Sequence, residues 1–185
     1  MTMKAIPTEI PDVIILEPQV FYDARGFFME TYHERKLAEL GIDAQFVQDN
    51  HSQSQCGTLR GLHYQIRQTQ GKLLRVVNGE IFDVAVDLRR RSPTFGQWTG
   101  AILSADNKRQ LWVPPGFAHG FYALSETVDL IYKVTDYYAP EWERTLIWDD
   151  PQIAVAWPLI DSQPPVLSAR DLQGQPFAQA EVFEE

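Results

Sequence analysis

The chain carries a single cysteine, Cys56, among its 185 residues. No disulfide can form within it, and no cysteine cluster can hold a metal. Basic residues are also scarce: 16 Lys and Arg stand against 25 Asp and Glu, a formal charge of −9. That balance argues against a nucleic-acid partner, which requires a basic face. No apolar run approaches the roughly 20 residues of a membrane span. The opening MTMKAIPTEIPDV contains two prolines and no apolar stretch of the signal-peptide kind. A cytoplasmic protein with no membrane association is expected, with Cys56 an ordinary free thiol in a reducing compartment. Internal repeats and low-complexity tracts are lacking as well.

What is present is the composition of one globular domain, 1–185, with 44% hydrophobic and 12% aromatic residues. Short extended segments dominate. Val13–Leu16, Gly26–Tyr32, Gln45–Asn50, Thr58–Ile66, Leu73–Val77, Ile81–Leu88, Trp98–Leu103, Gln110–Val113, His119–Leu124, Val128–Val134 and Thr145–Trp148 all read as strands. Turn signals separate them at spacings of roughly 8–12 residues, which marks a sandwich or barrel. Asn78-Gly79 is the strongest hairpin signal, because both residue types tolerate positive φ. Within Ile81–Leu88, apolar Phe82, Val84, Val86 and Leu88 alternate with Asp83, Ala85 and Asp87, which leaves the two aspartates facing either a polar interior or solvent. One helix is predicted, His33–Leu40, ending at Gly41. From Pro151 onward the chain reads as an irregular segment laid over the barrel.

The densest chemistry lies in Gly57–Lys72, GTLRGLHYQIRQTQGK. A histidine alone in such a strand is usually a packing residue. Here Arg60 and Lys72 flank His63, so the group reads as a general base beside an anion site: imidazole titrates near neutrality and guanidinium offers a fixed fork of donors to phosphate.

This passage, together with VQDN at 47–50, VPPGFAH at 113–119 and DARGFFMET at 23–31, resembles the dTDP-4-dehydrorhamnose 3,5-epimerase family, from Pro11 to about Phe177. The resemblance implies an all-β, cupin-type jelly-roll β-barrel with short peripheral helices. It implies a cofactor-independent isomerase acting on a thymidine-diphospho 4-keto-6-deoxyhexose. By position, His63 would be the base, Asp171 its carboxylate partner, Lys72 the stabiliser of the enolate and Tyr132 the acid. Alternation in Leu130-Ile131-Tyr132 agrees with an inward Tyr132. Substrate contacts would come from Arg25, Phe28, Glu30, Gln48, Asp49, Asn50, Arg60, His119, Tyr138, Glu143 and Arg170. The family usually has lysine at the position of Arg170.

Metal-binding cupins carry a His-x-His pair, but this chain reads His63-Tyr64-Gln65. Two histidines and a neutral amide make a poor site for a transition metal, so no metal is expected. Arg60 and His63 stand three residues apart, which on an unbroken strand turns them to opposite faces. Either Gly61 introduces a bulge, or Arg60 serves a second site at a dimer interface. A homodimer is expected, with a strand such as Val13–Leu16 adding to a neighbour's sheet. A relative that inverts one carbon or moves the ketone, and a sugar-nucleotide sensor without chemistry, are the other readings.

Overall fold

The computed structural model describes residues 2–184. Thirteen strands follow one another along the described chain: β1 (Met3–Pro7), β2 (Ile14–Pro18), β3 (Val20–Asp23), β4 (Gly26–Met29), β5 (Gln48–Gln55), β6 (Leu59–Gln65) and β7 (Lys72–Asn78), then β8 (Glu80–Asp87), β9 (Trp98–Ser104), β10 (Gln110–Val113), β11 (Phe117–Ala123), β12 (Thr127–Val134) and β13 (Glu143–Thr145). Eleven of them build two antiparallel sheets, ordered β1-β2-β10-β7-β12-β5 and β13-β6-β11-β8-β9. The two sheets form a cupin-type jelly roll. β3 and β4 make a separate hairpin, and the one helix, α1 (Glu34–Glu39), ends against Gly41 at φ +88.

Period-two alternation assigns each strand's residues to the interior or to an outer layer. The space between the sheets is filled by Leu74 and Val76 from β7, Ile81 and Ala85 from β8, Leu103 from β9, Phe117 and Phe121 from β11 and Leu130 from β12. The apolar set of β8, Val84 and Val86 with Phe82 beside them, faces the other way. It packs under the segment after β13, against Ile153, Trp157, Phe177 and Phe183. That segment consists of turns and short 3-10 pieces. A third layer, Leu37 of α1 with Ile42, Leu73 and Trp112, covers the outer side of the six-stranded sheet. Asp83 and Asp87 therefore point inward and are fully buried. Asp87 is held by Arg89, Ser92 and Thr94.

Two expectations about connectivity change. Asn78-Gly79 does not close a hairpin, because β7 and β8 belong to different sheets and do not pair. Only Gly79 has positive φ, +78, and a side chain there would lie 2.4 Å from Thr127 O. Asn78 serves instead through its amide, which donates to Thr127 O and Asp129 Oδ2. The strand near the N-terminus begins at Ile14 rather than Val13 and is flanked by β1 and β10, so the edge of the sheet at that end is β1.

The bulge at Gly61 exists and decides the site. β11 pairs with β6 as His119↔His63 and Phe121↔Arg60, which leaves one residue on β11, Gly120, opposite two on β6, Gly61 and Leu62. Gly61 has φ +136, and a methyl group on it would come within 2.5 Å of Gly120 Cα. The extra residue resets the alternation, so Arg60 and His63 share the inner face while Leu62 and Tyr64 pack outward. Gly61→Ala combines an unfavourable φ with a backbone clash. We expect a loss of about 2–4 kcal/mol in urea unfolding; a loss under about 1 kcal/mol would mean that the bulge does not depend on glycine.

Candidate active site

One end of the barrel stays open as a cavity of about 370 Å³. Its walls come from both sheets: Arg60 and His63 on β6 and His119 on β11 face Lys72 on β7 and Tyr132 on β12, with Gln48 and Asn50 on β5. Phe121 and Leu130 give it apolar lining, and Tyr138, Glu143 and Arg170 stand among its polar residues.

His63 Nε2 donates to Asp171 Oδ1 at 2.6 Å. With that nitrogen committed, Nδ1 is the one left to take a proton, a tautomer fixed by the carboxylate. Asp171 is 2% exposed. Burial alone would raise its pKa, but bonds from His63, Ser168 and the Gly61 N–H outweigh it and hold the carboxyl at about 2. It is therefore a permanent anion behind the imidazole.

His119 makes a second pairing. Its Nε2 donates to both oxygens of buried Asp83, at 2.9 and 3.0 Å. Burial lowers the His119 pKa, against the pull of Asp83, so this imidazole stays neutral. Lys72 is pushed down to about 8 by burial, while the nearby charges of Asp83 and Glu143 work in the other direction. Its Nζ lies 3.4 Å from the backbone oxygen of His63, across the gap between the sheets. Alternation explains its place: Lys72, Leu74 and Val76 share the inner face of β7. Burial also raises the Tyr132 pKa, with Arg60 opposing, which keeps the phenol protonated.

Arg60 is anchored from behind, with Nε donating to Ser54 Oγ at 2.9 Å and one terminal nitrogen donating to Gln53 O at 2.8 Å. Arg170 pairs with Glu143, which also accepts from Tyr138 Oη at 2.7 Å. Gln65, at the position of the second metal-cupin histidine, does not line the cavity. Its amide is spent on the backbone of Gln68, Tyr137 and Ala139. Among the described residues no three His, Cys, Asp or Glu side chains converge on an ion.

Four of the expected substrate contacts lie outside this cavity. Asp49 falls on the outer face of β5 and pairs with Lys133. Arg25, Phe28 and Glu30 belong to the β3–β4 hairpin or its exit. The Arg25 side chain is 90% exposed and held by Asp23, Phe28 is 61% exposed, and Glu30 pairs with Lys36. Sequence reasoning in turn missed Ser52, Gln70 and Phe121 as lining residues, Ser54 as the support of Arg60 and Ser168 as that of Asp171. Asp83 had a signal, a charge repeated on an apolar strand, but nothing in the sequence linked it to His119.

The dTDP-4-dehydrorhamnose 3,5-epimerase family model matches residues 7–179. The chain is 60% identical over 182 residues to the dTDP-4-dehydrorhamnose 3,5-epimerase of Pseudomonas aeruginosa, covering 98% of this chain and 99% of that one. Among solved structures it is similar to the dTDP-6-deoxy-D-glucose-3,5-epimerase of Legionella pneumophila in complex with dTDP-4-keto-L-rhamnose, at 50% identity and TM-score 0.96, over 100% and 99% of the two chains. A 3'-monoepimerase of Streptomyces bikiniensis in complex with dTDP-quinovose is further away, at 33% identity and TM-score 0.87, over 94% and 88%. With a family match across nearly its whole length and a bonded histidine–aspartate pair in the open end of its barrel, the chain belongs to the dTDP-4-dehydrorhamnose 3,5-epimerase family.

Proposed function

We propose that the protein inverts carbons 3 and 5 of dTDP-4-dehydro-6-deoxy-D-glucose to give dTDP-4-dehydro-L-rhamnose, without a cofactor, by proton removal and return on opposite faces of the ring. The observation that carries this reading is the placement of base and acid on facing walls. His63, backed by Asp171, stands on one sheet and Tyr132 on the other, with the cavity between them. Inversion at a carbon requires a proton to leave one face and arrive at the other, so a lone base could exchange protons but not invert. A ketone between carbons 3 and 5 acidifies both, and one pair of groups can then serve both positions.

His63 accepts the proton at Nδ1, and Asp171 stabilises the imidazolium that results. Charge that builds on the ketone oxygen as the enolate forms falls to Lys72, a cation already stripped of water. Neutral His119 offers its free nitrogen to a sugar hydroxyl. Tyr132, protonated at neutral pH, delivers the proton from the other wall. Arg60 and Arg170 take the diphosphate, and Tyr138 offers an aromatic face for the thymine. The higher identity to double epimerases than to the 3'-monoepimerase favours inversion at both carbons over one.

Arg25, Phe28 and Glu30 fit this reading only if they reach a different molecule's cavity. Their hairpin exposes Phe21, Tyr22, Phe27 and Phe28 together, an apolar surface of the kind that marks an interface. We therefore propose a homodimer in which each hairpin completes the neighbouring site. The exposed, unpaired Cys56 thiol suits the reducing cytoplasm.

In deuterium oxide, Tyr132→Phe should still admit solvent deuterium with retained configuration while inverted product falls by about 10²–10⁴-fold; His63→Ala in the same assay should admit none. Normal inversion in the phenylalanine variant would reduce Tyr132 to packing. The pH dependence of kcat/KM should show an alkaline limb near 8, since raising pH through that value discharges Lys72 in the free enzyme. A flat profile up to pH 10 would separate Lys72 from the chemistry. Arg25→Ala and His63→Ala proteins, each inactive alone, should regain about a quarter of wild-type activity when unfolded and refolded together at equal amounts, because only the mixed dimer holds one intact site. No recovery would remove the hairpin from the neighbour's site.

A further inference from the structure

Ser52 Oγ is the one buried side-chain polar atom among the described residues that has no hydrogen-bond partner. Buried hydroxyls are otherwise paired almost without exception, and an unpaired one calls for a reason. It does not sit in the packed core but on the wall of the catalytic cavity. The inner face of β5 presents Gln48, Asn50, Ser52 and Ser54 in alternation. Each of its other polar side chains makes a bond within the protein: Gln48 Nε2 donates to Asn50 Oδ1, and Ser54 Oγ accepts from Arg60 Nε.

Register locates the hydroxyl between two parts of the proposed machinery. Asn50 lies opposite Tyr132 and Ser52 opposite Leu130 in the β5–β12 pair, while Ser54 holds Arg60. Residues two apart on a strand are about 6.6 Å from each other, so Ser52 stands midway between the proton donor and the diphosphate-binding arginine. Its neighbour across the ladder, Leu130, is apolar and offers no partner. We infer that Ser52 is a substrate-binding hydroxyl, left unpaired by the protein so that an oxygen of the sugar nucleotide, between the keto-sugar ring and the diphosphate, completes it. The inference rests on the epimerase reading for the identity of the ligand.

Removal of a hydroxyl that only the ligand satisfies has a distinctive signature. The free protein loses nothing, since alanine in that place buries no unpaired group, whereas the complex loses a hydrogen bond. Ser52→Ala should weaken binding of the non-reacting probe dTDP-L-rhamnose about tenfold by calorimetry and lower kcat/KM by a similar factor, chiefly through KM. Its melting temperature without ligand should equal or exceed that of the wild type. A change under twofold in both affinity and kcat/KM would overturn the inference. So would a lowered melting temperature of the free variant, with or without weaker binding, because the hydroxyl would then serve the framework through a bound water. Wild-type turnover tests the epimerase reading separately, and the affinity ratio needs no turnover, so the two can fail independently.

Discussion

The carboxylate of Asp171 holds the open end of the barrel together. It is a charge buried at the seam between the closing segment and β6, and such a charge persists only when its oxygens are fully engaged. One oxygen takes His63 Nε2 and the Gly61 N–H, and the other takes the Ser168 hydroxyl and N–H. The same anion therefore satisfies the amide at the bulge, fixes the imidazole tautomer and ties down the segment that carries Arg170. Loss of any one contact leaves part of a buried charge unpaired. Order in the site and docking of the tail are one event.

Around that anchor the cavity sorts charge by depth. Asp83 is a fully buried carboxylate, with His119 bonded to it and Lys72 held nearby. Burial lowers the pKa of both His119 and Lys72, but with different results. The histidine becomes a neutral dipole at physiological pH. The lysine stays largely charged below its shifted value and keeps its capacity to respond to a growing oxyanion. Nearer the mouth, Arg60 is braced by backbone and serine oxygens, and Arg170 by Glu143.

How far the sequence led depends on range. Period-two alternation placed Tyr132 inward, and it accounts for Lys72, because each continues the inner face of a strand with clear apolar marks. The three-residue spacing of Arg60 and His63 was visible as a conflict, and Gly61 was visible as a means to resolve it. The contact with Gly120 that makes the bulge fit depends on a strand almost 60 residues later and had no local signal. The Asp171 partnership spans 108 residues and is signalled only by the family resemblance. Asn78-Gly79 misled for a physical reason: a corner between sheets needs the same positive φ at glycine as a hairpin does. The aromatic hairpin read as site residues by motif, but none of its residues lines the cavity of its own chain.

The bond between Arg170 and Glu143 has a consequence for which polyanions gain entry. The chain as a whole carries −9, so a nucleotide is repelled by the surface only once it comes within about a Debye length, roughly 8 Å at physiological salt. Before the ligand arrives, Glu143 already neutralises one of the two arginines at the mouth. If Arg60 and Arg170 take the diphosphate as proposed, a ligand must bring enough negative charge, at the right separation, to draw Arg170 from that carboxylate while Arg60 holds its other end. Two linked phosphates can meet this demand, and a single phosphate or a long nucleic-acid strand meets it poorly. On the proposed function, the acidic surface and the occupied arginine together would act as a filter, with discrimination made at the doorway before the sugar is inspected.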